Sequence, residues 1–537
     1  MKIFTCLAVA LLSLSSISGY AIEDSDLKGD LKFKGVTMKG YAQVSTPMAI
    51  TSEGNVAVTG IVASSSTGVL GSYVALASKD LSSTPIWKID INSRSIVNAI
   101  VADAEGGIFI GGDFQKELVL PGVDGDIKLT GNYDPDDYSG AKHNAFIAHI
   151  NKEGKVTAAH AIVSTVNPDV LGNPGYDKYN AFCNVNSLAY AGGKLYAGLC
   201  FQDVITTAGG KELKSSTYDM YGGLYSSTSF TIAQVDQATM KVEAYPVVFG
   251  GNSSDQNYMG LDVKNAKIAV DGSHLYIAAM PTGWSSTASL WIGEKIVDKA
   301  TYQYQGTLNG FYVADIDLST NSLVTSKVFD GKYSYSKSKL TSAIESFNVV
   351  GDNLYLGGSF IQNFPLDKSI KVTGNTDVFI AVLNKTGLDI NTSLVSGYDE
   401  TKNQTDPENV MECLSACGSL NGHIIASGYV AKKGSSVSLL TPLSFSQNEA
   451  SLKVSEDDNY TTGGVISEDG KVAYFAYLTA DQTTPNYLYY DATPTAIKTI
   501  DATQVNKDAV IYNLQGMKLS APQKGLNIIN GKKVVVK

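Results

Sequence analysis

This sequence predicts an all-β fold, a β-propeller of about seven four-stranded blades followed by a small C-terminal β module. Three observations carry that expectation. A short strand signature recurs along the chain, most copies follow a tight turn rich in Gly, Asp or Asn, and no stretch develops a clear helical period. The composition agrees: 51 glycines, 30 tyrosines and only 9 methionines suit β structure better than helix.

Taken in order, the chain opens with Met1-Lys2, an apolar run from Ile3 to Leu14, and small residues ending at Ala21. That is the pattern of a secretory signal peptide, residues 1–21, and it predicts a secreted or cell-surface protein. Cys6 lies at the start of the apolar run rather than after it, which argues against lipid anchoring. No later stretch is apolar enough for a spanning helix, so no membrane span is expected.

Residues 22–490 are expected to form the propeller. Its main signature starts at Val56, Ile108, Leu195, Leu275, Leu354, Ile424 and Val472, as in Ile108-Phe109-Ile110-Gly111-Gly112. Turns such as Glu105–Gly107, Gly192–Lys194, Asp271–Ser273 and Gly351–Asn353 precede it, and an apolar run precedes each turn. Two such runs around a Gly/Asp/Asn turn make a hairpin. A second signature follows at variable distance: Tyr73–Leu76, Phe146–Asn151, Phe230–Asp236, Phe311–Asp317 and Val378–Asn384. After it come another turn and a fourth apolar run, which completes a four-stranded blade. The final unit is one strand short. The segment Leu31–Met38, largely alternating apolar and polar, is expected to supply its outer strand and close the ring.

These residues resemble a known repeat type. Gly111-Gly112-Asp113-Phe114 and Gly357-Gly358-Ser359-Phe360, each followed by an aromatic-aliphatic-Ala strand at Phe146 or Phe379, look like bacterial β-propeller repeats of the G-G-x-F type. The resemblance is good in units two and five and faint in six and seven. It implies fold rather than function. Residues 491–504, rich in Thr and Ala, read as a linker, and 505–537 as a separate module. Val510–Lys518, with Tyr512-Asn513-Leu514-Gln515-Gly516, and Lys524–Lys537 resemble the C-terminal sorting domain of proteins exported by the type IX secretion system of the Bacteroidetes. The block is short for that family, and Asn527 stands where an aromatic is usual. The resemblance implies the export machinery as a partner.

Charge and residue types exclude several functions. The formal net charge of −11, one unit more negative once Lys2 is removed, argues against nucleic acid or anionic membrane as a partner. Arg94 is the only arginine, so a guanidinium clamp for phosphate or nucleotide is not expected, and no cofactor is expected. There is no H-E-x-x-H, no G-x-S-x-G, no P-loop and no C-x-x-C. Asp134, Asp136 and Asp137 lack calcium-loop spacing, which leaves a metal site undetermined. Cys183 and Cys200 flank the Gly192-Gly193 turn and form a disulfide candidate; Cys413 and Cys417, about 13 Å apart in an extended strand, cannot pair.

The long connections, among them 115–143, 202–229, 281–310 and 361–377, should emerge on one face. They carry the candidate rim: Tyr133, Asp136, Tyr138, Tyr176, Tyr179, Trp284, Trp291, Tyr333 and Tyr335, with Tyr218, Tyr225 and Tyr302 in the same loops. Aromatic faces interleaved with Asp, Asn and Ser suit sugar rings and protein partners alike, and they equally suit loops packed onto the blades. The leading expectation is an exported, non-enzymatic propeller that binds a glycan or protein at the cell surface. The alternative is an extracellular polysaccharide hydrolase or lyase working at the same face. No residue stands out as catalytic.

Overall fold

A computed structural model describes residues 27–32, 46–132 (without 66–67 and 83), 143–170, 181–251 (without 221–222), 261–302 (without 284–286), 310–330, 343–396 (without 362, 368 and 373–375), 410–442 (without 421 and 433–438), 460–491 (without 479–484), 498–500 and 509–536 (without 514–515 and 530–531). The chain divides into two units, Met1–Tyr490 and Asp491–Lys537.

The first unit is a β-propeller. Seven antiparallel sheets follow one another along the chain, and in the first six the strands pair in sequence order. The innermost strands, Met48–Ile50, Ser95–Ala102, Phe182–Ala191, Leu261–Asp271, Ala343–Val350, Val410–Leu420 and Tyr460–Ile466, each neighbour the next. The last of them also neighbours the first, so the ring closes. We number the blades 1 to 7 in that order. The recurring signature forms every second strand, and the aromatic-Ala signature forms the third strand of blades 1 to 5. Blade 6 shows three strands among the described residues, ending with Leu439–Pro442.

The paired glycines have a physical reason. In blade 2 a β-bulge leaves Asn98 unpaired between Val97↔Gly112 and Ala99↔Gly111; in blade 5 Glu345 is unpaired between Ile344↔Gly358 and Ser346↔Gly357. A Cβ on Gly112 would stand 1.9 Å from the Ile96 carbonyl oxygen, and one on Gly358 would stand 2.1 Å from that of Ala343. The other glycine serves the next blade: a Cβ on Gly111 would meet Val185, and one on Gly357 would meet Leu414. One glycine admits the bulge and its neighbour admits the adjoining blade. The phenylalanine that ends the motif then packs on the aromatic of the third strand, Phe114 on Phe146 and Phe360 on Phe379, each pair with ring centroids 6.3 Å apart.

Ring closure uses the N-terminal segment, as expected, but earlier in the sequence. Leu27–Lys32 pairs antiparallel with Pro485–Asp491, from Leu27↔Tyr490 to Lys32↔Asn486, and becomes the outer strand of blade 7. Of the expected Leu31–Met38, only Leu31 and Lys32 lie in this strand, and 33–38 fall outside the described residues. The blade 7–blade 1 seam is also joined by Tyr73 and Tyr487 hydroxyls 2.7 Å apart, by Thr46 N–H to the Thr462 carbonyl at 2.7 Å, and by Tyr474 OH to the Lys79 carbonyl at 3.0 Å.

The disulfide expectation is corrected. Cys183 and Cys200 are both free thiols. Cys183 pairs with Phe201 and Asn184 with Cys200, a one-residue offset that sends the two side chains to opposite faces of the sheet. Cys183 packs in the core that holds Phe109 and Val185, while Cys200 packs with Phe230 and Val263 on the other side. Burial pushes the Cys200, Cys413 and Cys417 thiols up to about 12, and raises Cys183 as well, which keeps these thiols protonated.

The second unit is a five-stranded sheet in the order Lys498–Ile500, Lys532–Val536, Gly525–Ile529, Ile511–Tyr512, Lys518–Leu519. Lys498–Ile500, inside the stretch expected to be linker, runs parallel to Lys532–Val536 as the edge strand. Asn527 is buried, and its amide donates to the carbonyls of Gln523 at 2.5 Å and Gly525 at 2.8 Å. The amide thus pins the turn that leads into this strand.

Candidate functional site

Insertions concentrate at one end of the propeller, where second strands hand over to third strands. At the other end the first-to-second turns are short, as at Gly192-Gly193 and Gly272-Ser273. Their described parts include several hairpins. Glu117–Pro121 and Asp126–Thr130 form a hairpin whose Leu118, Leu120 and Leu129 pack with Phe114 and Phe146. Val204–Thr206 pairs with Glu212–Lys214, and Thr217–Met220 with Gly223–Ser226, where Tyr218 and Tyr225 stack at 5.7 Å.

Of the candidate rim residues, Trp291 alone falls within the described residues. Tyr133, Asp136, Tyr138, Tyr176, Tyr179, Trp284, Tyr333 and Tyr335 lie outside them. Trp291 is corrected from rim to flank. Its strand, Thr287–Ile292, leaves blade 4 and pairs with Val242–Gly251, the outer strand of blade 3, with Trp291 opposite Val248. The hairpin it forms with Lys295–Thr301 extends blade 3 to six strands. Tyr302, at the end of the same insertion, is buried in the core between these blades.

The polar groups that sequence reasoning left unassigned gather on the channel wall. Besides Asn98 and Glu345, bulges leave Asn186, Ser415 and Thr462 unpaired in blades 3, 6 and 7, and blade 4 bulges at Val263 and Lys264. Asn98, Asn186, Glu345 and Ser415 are half-buried although their strands are the innermost ones, which puts them beside the channel. Their side chains stitch neighbouring blades. Asn186 Nδ2 donates to the Lys264 carbonyl at 2.8 Å, Ser415 Oγ to the Thr461 carbonyl at 2.7 Å, and the Leu414 N–H to Glu345 Oε2 at 2.6 Å.

Three titratable features stand out. In blade 2, Asn98 Nδ2 donates to Asp113 Oδ1 at 2.8 Å while Asp113 Oδ2 bonds His143 Nδ1. Asp113 is buried and the imidazole is partly exposed; the bond to Asp113 raises the His143 pKa against the opposing effect of burial. The His143 carbonyl accepts the Cys183 N–H, which fixes it against the inner strand of blade 3. In blade 4, burial lowers the Lys267 pKa, and its ammonium donates to the Asn186 carbonyl at 2.9 Å. In blade 5, burial raises the Glu345 carboxyl to about 7. A signal for Glu345 was present, a single charge in the otherwise uncharged inner strand Ala343–Val350, whereas Lys267 shares its strand with Asp262, Lys264 and Asp271. His149 and His274 are occupied at the opposite end, His149 between Thr157 and Asp103 and His274 by Asp315.

No family model matches the sequence, and no curated protein matches it. Among solved structures, it is similar to the polysaccharide lyase Uly1 at 8% identity and a TM-score of 0.40, over 87% of this chain and 100% of that one. It is also similar to the β-propeller domain of the Trilobed protease from Pyrococcus furiosus, at 8% identity and a TM-score of 0.34, over 84% and 97%. The C-terminal WD40 domain of Sif2 matches at 9% identity and 0.30, over 86% and 98%. At such TM-scores these likenesses carry no argument, and the assignment of the fold rests on the seven sheets and their closure.

Proposed function

We propose that this chain is an exported binding propeller that takes a glycan or protein ligand at the end carrying its insertions. The observation that supports the reading is the one-sided placement of the long second-to-third connections on a closed, rigid ring. Among the described residues, Asp113, Asp203, Glu412 and the half-buried Glu345 at that end each take part in a structural bond, which supports binding over catalysis. Asp113 holds Asn98 and His143, Glu345 holds the Leu414 N–H, Glu412 holds the Val378 N–H at 3.1 Å and Ser396, and Asp203 holds Ser226. A glycosidase would need two carboxyls free to face one bond. His143 supports the hydrolase or lyase alternative, since an imidazole oriented through Nδ1 by a buried carboxylate presents Nε2 outward.

A glycan array combined with polysaccharide gels separates the two readings. Binding predicts retardation in one or more gels with no shortening of the polymer. Turnover of any retained polymer would replace the binding reading with the enzymatic one, and retention on no glycan would leave a protein ligand as the proposal.

The export half of the proposal is supported by the 1–21 leader and by the C-terminal block. Deleting Val510–Lys537 is expected to leave propeller melting unchanged and to abolish surface delivery in the native host. Surface delivery at the normal level without the block would remove its sorting role.

A further inference from the structure

The hairpin of Thr217–Met220 and Gly223–Ser226 stands in the second-to-third connection of blade 3, at the end that carries the insertions. Its base is held in place. Ser227 N–H donates to the Ser216 carbonyl at 2.8 Å, Ser216 N–H to Ser229 Oγ at 2.9 Å, and Ser216 Oγ to the Gly251 carbonyl at 2.8 Å. The chain that leaves the hairpin is fastened to blade 4. There Thr228 N–H donates to Asp262 Oδ1 at 2.8 Å, and Val263 N–H donates to the Thr228 carbonyl at 3.0 Å. Asp262 belongs to the first turn-proximal residues of the inner strand Leu261–Asp271, so the hairpin is rooted beside the mouth of the channel.

On this support Tyr218 and Tyr225 stand directly opposite each other, their rings stacked with centroids 5.7 Å apart and planes 24° from parallel. Both are half-buried, and among the described residues neither hydroxyl has a hydrogen-bond partner. By contrast Tyr73, Tyr312 and Tyr474 commit their hydroxyls to the fold, on Tyr487, Asp298 and the Lys79 carbonyl. The Asp262 carboxylate lies close enough to Tyr218 to add to burial in raising its pKa. Asp262 Oδ2 is 3.5 Å from the ammonium of Lys264, an exposed residue of the blade 4 bulge.

We propose, resting on the binding reading above, that Tyr218 and Tyr225 form a sugar platform edged by Asp262 and Lys264, and that its ligand is a neutral polysaccharide. The C–H face of a pyranose packs on an aromatic ring while its hydroxyl edge needs donors and acceptors beside that ring. Unbonded phenol hydroxyls, a half-exposed carboxylate and an ammonium supply them. Two rings cover the footprint of one or two sugars, far below the roughly 800 Å² per partner of a stable protein interface. The fixed base of the hairpin holds the rings in advance, so little ordering accompanies binding. Lys264 is balanced by Asp262, and the net charge of −11 opposes an acidic polymer, which favours neutral sugars.

The test is affinity electrophoresis of the full-length mature chain in native gels holding xyloglucan, galactomannan, mannan or amylopectin, with alginate and polygalacturonate as acidic counterparts. Wild type should be retarded by at least one neutral polymer and by neither acidic one. In that gel Y218A and Y225A should each bind about tenfold or more weakly, and D262N and the double variant Y218F/Y225F about three- to tenfold, at unchanged melting temperature. Wild-type retention that all four variants keep would overturn the platform and leave the binding reading of this end standing. Retention as strong or stronger in the acidic gels would overturn the choice of ligand. Retention in none of the gels would overturn the platform together with the glycan half of the binding reading, leaving a protein ligand. Should the alanine variants fail to fold, D262N and Y218F/Y225F decide, because both keep the rings.

Discussion

A chain that begins at Phe33 melts well below one that begins at Ile22. The residues removed include Leu27–Lys32, the outer strand of blade 7, and their loss strips the ladder from Pro485–Asp491. It also uncovers that strand's buried residues Tyr487, Leu488, Tyr489 and Tyr490. Each lost ladder bond is worth about 1 kcal/mol, and each large side chain returned to water roughly 1.5–3 kcal/mol. Together they give a loss on the order of 10 kcal/mol as an upper bound, which corresponds to a drop of roughly 10 °C for a domain of this size. Tyr73 and Tyr487, Thr46 and Thr462, and Tyr474 with Lys79 still join blades 7 and 1, so the shortened chain is expected to fold into a weaker ring. Unchanged melting would mean that these contacts alone hold the ends together, and that the strand merely covers an edge.

Gly358→Ala should destabilise the propeller by about 1–3 kcal/mol, with Gly112→Ala doing the same in blade 2. The added methyl meets a backbone carbonyl in both cases, 2.1 Å and 1.9 Å away, and a carbonyl inside a bulged ladder has no rotamer to move to. Relief requires straightening the bulge, which would turn Glu345 or Asn98 away from its present place on the channel wall. Urea unfolding of the variants against Gly209→Ala provides the comparison, since a methyl at Gly209 meets nothing nearer than Thr207 Oγ1 at 4.0 Å. Equal stability of all three would show that the paired glycines answer to something other than the bulge.

These two expectations stand on features with different legibility. The glycine pair, the turn before it and the aromatic-Ala strand are local, and the sequence alone located every second strand and five of the third strands. The closing strand was legible as a role but misplaced by several residues, because the alternation of Leu31–Met38 says nothing about which residues meet Tyr487. Of the candidate site far less could be read. The place of Trp291 in a long connection suggests the rim, yet its strand leaves blade 4 for the outer edge of blade 3.

Side-chain period and turn chemistry are properties of neighbouring residues, so the all-β class, the repeat and the blade order of this protein were determined by its sequence. Register, the face a side chain takes and the company it keeps are set by strands far apart in the chain, and only the tertiary structure decided them. A single bulge at Asn186 sits between the Cys183↔Phe201 and Ala191↔Lys194 ends of one hairpin, and the offset it accompanies left Cys183 and Cys200 on opposite faces. The same device, repeated around the ring, brought Lys267 of blade 4 within electrostatic reach of Glu345 and set Glu345 on Leu414 of blade 6. Asn98, Asp113 and His143 likewise became one hydrogen-bonded unit only when three strand ends met. A bulge adds one residue to one strand, which local patterning scarcely registers, but it reverses the parity of everything beyond it.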